Sequence, residues 1–290
     1  MNMPEFKIVF SNPCGLGEGP VWDAENKKLY WVDIDYRKIF HGDPVIGTYQ
    51  DYSFDVPVTA LGIRHKGGLI LATARGFALW DQKSSSLQSL GDPEAGKPNA
   101  RFNDGAVDRS GRFWAGTMTE TDATSALYRL DKEHRIQKME RGITITNGMG
   151  WSPDERYFYF TDTNQRTIYR YDFDPAAGEI QNRTVFATVP LGQGVPDGLT
   201  IDREGFIWSA RCGGGKIVRY NPNGKIDREI QTPVSSPTSL TFGGNHLDEL
   251  YVTTSASLTN ADLGLDDTQA GCTFQFHPNV TGLPEPLYEG

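Results

Sequence analysis

Arg101-Phe102-Asn103-Asp104-Gly105-Ala106-Val107-Asp108-Arg109-Ser110-Gly111-Arg112-Phe113-Trp114-Ala115-Gly116-Thr117-Met118 is the stretch from which the rest of the chain can be read. An arginine, an amide and a carboxylate stand beside a glycine. A short strand, Ala106-Val107, runs into the turn Asp108-Arg109-Ser110-Gly111. A second strand, Phe113 to Met118, leads away from it. The pattern is a β-hairpin with polar groups at its mouth.

Copies of this hairpin recur. Val21-Trp22-Asp23 leads to Leu29-Tyr30-Trp31-Val32-Asp33, and Met149-Gly150-Trp151 leads to Tyr157-Phe158-Tyr159-Phe160. Indexed by the residue opening the first strand, the copies begin at Gly19, Gly62, Gly105, Gly148, Gly198 and Ser239, spaced 43, 43, 43, 50 and 41 residues apart. A third strand, a turn and a fourth strand often follow, as around Lys216-Ile217-Val218-Arg219-Tyr220 and Asn221-Pro222-Asn223-Gly224. Four short strands at a period in the forties predict an all-β fold, a six-bladed β-propeller with four antiparallel strands per blade. One such propeller domain is expected to span residues 1–290. A lone blade cannot bury both faces, whereas six packed radially can. Phe6-Lys7-Ile8-Val9-Phe10 has no hairpin of its own. It is expected to close the ring by pairing near Thr273-Phe274-Gln275-Phe276.

Bulk properties agree. Gly numbers 32, aromatics make up 11% and charged residues 22%, as suits a turn-rich globular chain. The net charge of -9 argues against nucleic acid and suits the attraction of a cation. No apolar run reaches the ~20 residues of a membrane span, and the N-terminus lacks the pattern of a signal peptide. Cys14, Cys212 and Cys272 form neither a disulfide framework nor a zinc pattern, so a reducing, cytoplasmic location is expected. The oligomeric expectation is a monomer or weak homo-oligomer. No G-x-S-x-G elbow is present, and Cys212-Gly213-Gly214-Gly215-Lys216 lacks the spacing of a phosphate loop. The five histidines show no ligand spacing, and the tryptophans on strands read as packing between blades.

In a propeller the first strand of each blade lines the central channel. The residues preceding the six index positions are Glu18, Leu61, Asp104, Asn147, Asp197 and Thr238. Four offer a carboxylate or amide oxygen, and each of those four is followed by glycine. Oxygen donors without His or Cys suit Ca2+, Mg2+ or Mn2+. Asp-Gly and Asn-Gly also favour ordinary turns. The spacing alone therefore leaves open a shared cation site and a polar, water-filled channel.

Leu16-Gly17-Glu18-Gly19-Pro20, Arg101-Phe102-Asn103-Asp104-Gly105, Gly116-Thr117-Met118, Ile145-Thr146-Asn147-Gly148, Ser152-Pro153-Asp154 and Pro196-Asp197-Gly198 together resemble the gluconolactonase/regucalcin (senescence marker protein) family, from about Gly15 to Phe276. The resemblance implies a six-bladed propeller with one divalent metal at the channel centre and, in many members, hydrolysis of sugar lactones. Carried over by motif, it implies Glu18, Asn147 and Asp197 as metal ligands, with Arg101 and Asn103 on substrate oxygens. Asp104 is a further candidate, although the family pattern favours Asn103 as the inward residue. Glu120 is the candidate for a substrate-contacting acid, with a register that shifts if Thr121 takes that place. Ca2+ is the first expectation for the ion, with Zn2+, Mn2+, Mg2+ and Fe2+ as alternatives. Asp197 is the first candidate general base and Asp104 the second. The implied substrate is gluconolactone or a pentonolactone. A phosphotriesterase or arylesterase on the same scaffold is one alternative. A calcium-binding interaction propeller without catalysis is the other. The polar connections Thr119 to Ser125 and Ser257 to Ala270 are candidate lids over the channel mouth.

Overall fold

The computed structural model describes residues 4–97, 99–119 and 123–290. Its 24 strands form six four-stranded antiparallel sheets, with two short 3-10 turns and no α-helix among the described residues. This is the six-bladed propeller that the repeat spacing predicts. The innermost strands are Gly17–Asp23, Val58–Ile63, Arg101–Val107, Thr146–Trp151, Val195–Ile201 and Pro237–Gly243.

Period-2 alternation explains how the blades pack. Strand side chains point alternately to the two faces of a sheet, and each face here meets a neighbouring blade. In Tyr157–Asp162, Phe158 and Phe160 join Trp114, Trp151 and Tyr171 on one side. Tyr159 joins Ile207, Val218 and Tyr220 on the other. Trp114 and Trp151 meet edge to face with ring centres 5.8 Å apart. Trp22 stacks on Tyr251 at 5.5 Å where the first and sixth blades meet. The tryptophans thus serve packing between blades.

The ring closes as the unpaired N-terminal segment predicts. Lys7–Phe10 pairs antiparallel with Thr273–Phe276, bringing Lys7 opposite Gln275 and Ile8 opposite Phe274. The sixth blade is therefore built from both ends of the sequence. At the other end, the C-terminal segment crosses the face that carries the inner hairpin turns. The Gly282 N–H donates to Leu247 O (2.7 Å), the Arg203 N–H to Thr281 O (2.9 Å), and the Tyr288 N–H to Ile63 O (2.8 Å). Leu283, Pro284, Glu285 and Pro286 line the lower channel, a cavity of ≈ 110 Å³ that Asp104 also borders.

Phe10 is 1% exposed and stacks on Trp31 at 4.6 Å. Phe10→Ala should cost about 3–5 kcal/mol of folding stability, measured by urea denaturation. A loss below about 1 kcal/mol would mean that the closing strand contributes little to the ring.

Candidate metal centre

Each inner strand breaks its pairing register near its start. The breaks fall between Glu18 and Val21, Val58 and Ala60, Phe102 and Gly105, Asn147 and Met149, Pro196 and Leu199, and Pro237 and Leu240. A β-bulge kinks the strand and re-aims side chains out of the pleat. Counting back five residues from the residue that opens each hairpin turn gives Glu18, Thr59, Asn103, Asn147, Asp197 and Thr238. This set corrects the repeat alignment in two blades. Thr59 stands where Leu61 was expected, and Asn103 rather than Asp104 shares the step of Asp197. A bulge consumes residues without a partner, so an index set by Gly does not keep the phase of the pleat.

The segments leading into the inner strands are held by buried carboxylates. Asp33 accepts the N–H groups of Gly15 (2.9 Å) and Leu16 (3.3 Å). Asp162 does the same for Thr144 (3.3 Å) and Ile145 (3.4 Å). Glu18 and Asn147 are thereby fixed by the residues just before them.

Glu18, Asn147 and Asp197 are 7%, 4% and 6% exposed. Glu18 Oε2 accepts the Gly19 N–H (3.0 Å) and Asn147 Oδ1 the Gly148 N–H (3.1 Å). Asp104 Oδ1 accepts the Gly105 N–H (2.7 Å). The three acids share one electrostatic environment. Burial, then the charges of Asp197 and Asp104, hold the Glu18 carboxyl well above its ordinary range, and Arg101 offsets this only in part. Burial, then Asp104, pushes Asp197 up to about 8, while the Asn147 amide and the Gly198 N–H pull the other way. Burial pushes Asp104 to about 6. Asp197 Oδ1 is buried with no hydrogen-bond partner among the described residues.

An unpartnered buried oxygen amid mutually repelling carboxyls is a donor set that a cation would satisfy. Glu18, Asp197 and Asn147 would suit a hard or borderline divalent ion. No group of three or more His, Cys, Asp or Glu side chains among the described residues is arranged to hold a metal ion, so this candidate set includes an amide. Thr238 is turned elsewhere, its hydroxyl donating to Gly17 O and meeting Thr253 Oγ1 at 3.0 Å.

Arg101 and Asn103 form a built pair. Arg101 Nη1 donates to Asn103 Oδ1 (2.9 Å) and to Phe102 O (2.9 Å), and Asn103 Nδ2 donates to Thr146 O (2.8 Å). Both side chains are half-buried, which suits groups that meet a ligand from above. Glu120 lies outside the described residues, as do Thr121 and Asp122 of the first candidate lid. The second, Ser257 to Ala270, is tied to the junction of the fifth and sixth blades. Asn260 Nδ2 donates to Gly213 O (2.8 Å), and Asp267 accepts from the Ser235 N–H (2.7 Å) and hydroxyl (2.7 Å).

Two further residues adjoin this centre, and of these sequence reasoning left out Thr163. The Cys212 thiol lies against Asp197, and burial first, then that charge, pushes it up. Thr163, 8% exposed, accepts from Asn147 Nδ2 at 3.1 Å. The strand-end run Thr161-Asp162-Thr163 gave no periodic signal for it.

A six-bladed propeller with oxygen donors gathered on its axis is the class of protein that this fold and site define. The profile of the SMP-30/Gluconolactonase/LRE-like region matches residues 16–256. A 6-deoxy-6-sulfogluconolactonase of Pseudomonas putida is 37% identical over 287 residues, covering 98% of each chain. Pentonolactonase XacC of Haloferax volcanii is 36% identical over 284 residues, covering 96% of each. The solved structure of a calcium-binding protein, regucalcin, from Agrobacterium tumefaciens superposes with a TM-score of 0.92 at 28% identity, over 99% of this chain and 97% of that one. The chain belongs to the SMP-30/gluconolactonase/LRE-like family.

The raised acids set a pH dependence for the metal-free protein. A carboxyl that holds its proton more tightly when folded lends stability at low pH, and that stability is lost as pH rises through its folded value. With Asp104 near about 6 and Asp197 near about 8, melting temperature in chelator should fall between pH 5 and pH 9. Asp197→Asn should flatten the upper part of that fall. A melting temperature that rises across the same window would contradict the repulsion inferred at the axis.

Proposed function

We propose that the chain is a lactonase that opens the ring ester of a sugar lactone, with a divalent ion held by Glu18, Asn147 and Asp197. One observation carries the reading: the buried, unpartnered Asp197 Oδ1 among the carboxyls of Glu18 and Asp104. The lactonase relatives, aligned along almost the whole chain, support the reaction type. When bound, such an ion supplies Lewis-acid charge at the floor of the pocket.

The remaining work falls to side chains. Arg101 and Asn103 carry the donors and acceptor that suit ring hydroxyls, and their mutual hydrogen bond fixes both before a ligand arrives. Asp197 is the candidate to accept a proton, at the carboxylate oxygen not turned to the ion, from water attacking the ring carbonyl. That attack adds the water oxygen to the carbonyl carbon and breaks the ring C–O bond. The proton then goes to the released ring oxygen, leaving an aldonic acid with a free hydroxyl. Asp104 borders the lower channel and serves the electrostatics of the pair above it. A hydroxyl-directed site favours gluconolactone or a pentonolactone over an apolar ester. The ion is proposed as Ca2+ first, in keeping with the all-oxygen set. The same reading puts the enzyme in the reducing cytoplasm, consistent with Cys14, Cys212 and Cys272 as free thiols.

The test is pH-stat hydrolysis of a panel of aldonolactones by chelated protein re-supplied with single divalent ions. Turnover should return with the ion, and Asp197→Asn should lower it by about 10²–10⁴-fold. Wild-type turnover in that variant would remove Asp197 from the mechanism. Ion binding without hydrolysis of any lactone would replace the enzyme by a binding protein.

A further inference from the structure

Asn147 is the one amide in the proposed ligand set, and an amide presents two chemically opposite ends. Its oxygen suits a cation, whereas its nitrogen repels one. Rotation by half a turn about the last side-chain bond would exchange them with little change in shape. A metal centre that uses an asparagine therefore needs something that sorts the two ends.

Thr163 is placed to do so. Its hydroxyl stands 2.9 Å from Pro196 O and 3.1 Å from Asn147 Nδ2. A carbonyl oxygen only accepts, so the single hydroxyl proton is committed to Pro196 O. Toward Asn147 the hydroxyl can then only accept, which requires a donor at that position. The NH2 end must face Thr163, and Oδ1 takes the other branch. There it accepts the Gly148 N–H at 3.1 Å and keeps a lone pair for a cation. The carbonyl that fixes this polarity belongs to Pro196, the residue immediately before Asp197. One hydroxyl thus links the two ligand positions, in adjacent blades, and together with the Gly148 N–H sets the sense of the amide between them. Thr163 is buried and its one hydroxyl proton is committed to Pro196 O, so water has little means of scrambling the arrangement.

We infer that Thr163 is a positioning residue of the metal centre, which keeps the Asn147 oxygen toward the ion by accepting from Nδ2 while donating to Pro196 O. The inference rests on the metal-binding reading above. It differs from a purely structural tie between the fourth and fifth blades in one respect. The structural role is indifferent to whether residue 147 is an amide, and the polarity role is not.

The experiment is calorimetric titration of the chelated full chain with Ca2+ and with Mn2+. T163V keeps the shape of the side chain and removes the acceptor. It should weaken ion binding by about 10–100-fold, the range seen when a partner of a ligating side chain is lost. T163S restores the hydroxyl and should stay within about threefold of the unaltered protein. The decisive arm repeats T163V in an N147D background. A carboxylate has two equivalent oxygens and nothing to sort, so T163V should there cost less than about threefold. T163A repeats both arms with a smaller side chain, and thermal melts of the chelated proteins establish that each variant is folded. Equal losses in the two backgrounds would make Thr163 a structural tie and overturn the inference. So would binding within threefold in every variant. If the unaltered chain takes up neither ion, the metal-binding reading falls first and the inference falls with it. If it takes them up and T163V is neutral, only the inference falls.

Discussion

The structure depends on how closely six inner strands can approach one axis. A Cβ on Gly148 would lie 2.4 Å from Leu199 N and 2.6 Å from Asp197 O, and one on Gly198 would lie 2.2 Å from Ser239 Oγ. No side chain fits at either place. With glycine there, the neighbouring strands close up and the preceding residues, Asn147 and Asp197, are carried to the centre. The same glycine N–H groups turn back onto the side chains before them. Close approach therefore concentrates oxygens from different blades, and their crowding raises the cost of leaving them all ionised.

Buried acids elsewhere in the ring show what is unusual about the centre. Asp108 is met by Arg112 Nε at 2.6 Å and by the Trp114 ring N–H at 2.9 Å. Asp202 is met by Arg219 at 2.6 Å and by the Trp208 ring N–H at 2.9 Å. In those two hairpins the same framework of turn acid, arginine and tryptophan neutralises a buried charge. On the axis, Asp104 and Asp197 instead stand in each other's field, and Arg101 offsets only part of the strain on Glu18. A fold that pairs its buried acids at two corners and leaves them crowded at the centre makes the centre the candidate site of chemistry.

Much of this was legible in the chain. Each blade carries its own hairpin, so a period in the forties survives divergence of the individual residues. The run Phe6 to Phe10, a strand with no hairpin to belong to, pointed to the closing strand. The phase of the bulges was not legible. Pairing arguments count residues two by two, and a bulge adds residues that pair with nothing. That is why Leu61 and Asp104 were placed on the step that Thr59 and Asn103 occupy. Thr163 was invisible for another reason. Its importance comes from Pro196 O and Asn147 Nδ2, which reach it through the geometry of two blades and leave no mark at a fixed spacing.

The shared sixth blade also has a consequence for the order in which the molecule comes into being. Lys7–Phe10 leaves the ribosome before the other strands of the ring, yet its partner Thr273–Phe276 is the last of those strands to be made. Until that strand arrives the opening strand has an exposed edge and no mate. Earlier blades can pack against one another as they emerge, but the circle stays open until the final hairpin arrives. Glu18 sits in the first blade and Asp197 in the fifth, so their meeting across the axis belongs to that same closing moment. The seam makes the candidate metal centre one of the last parts of the ring to mature.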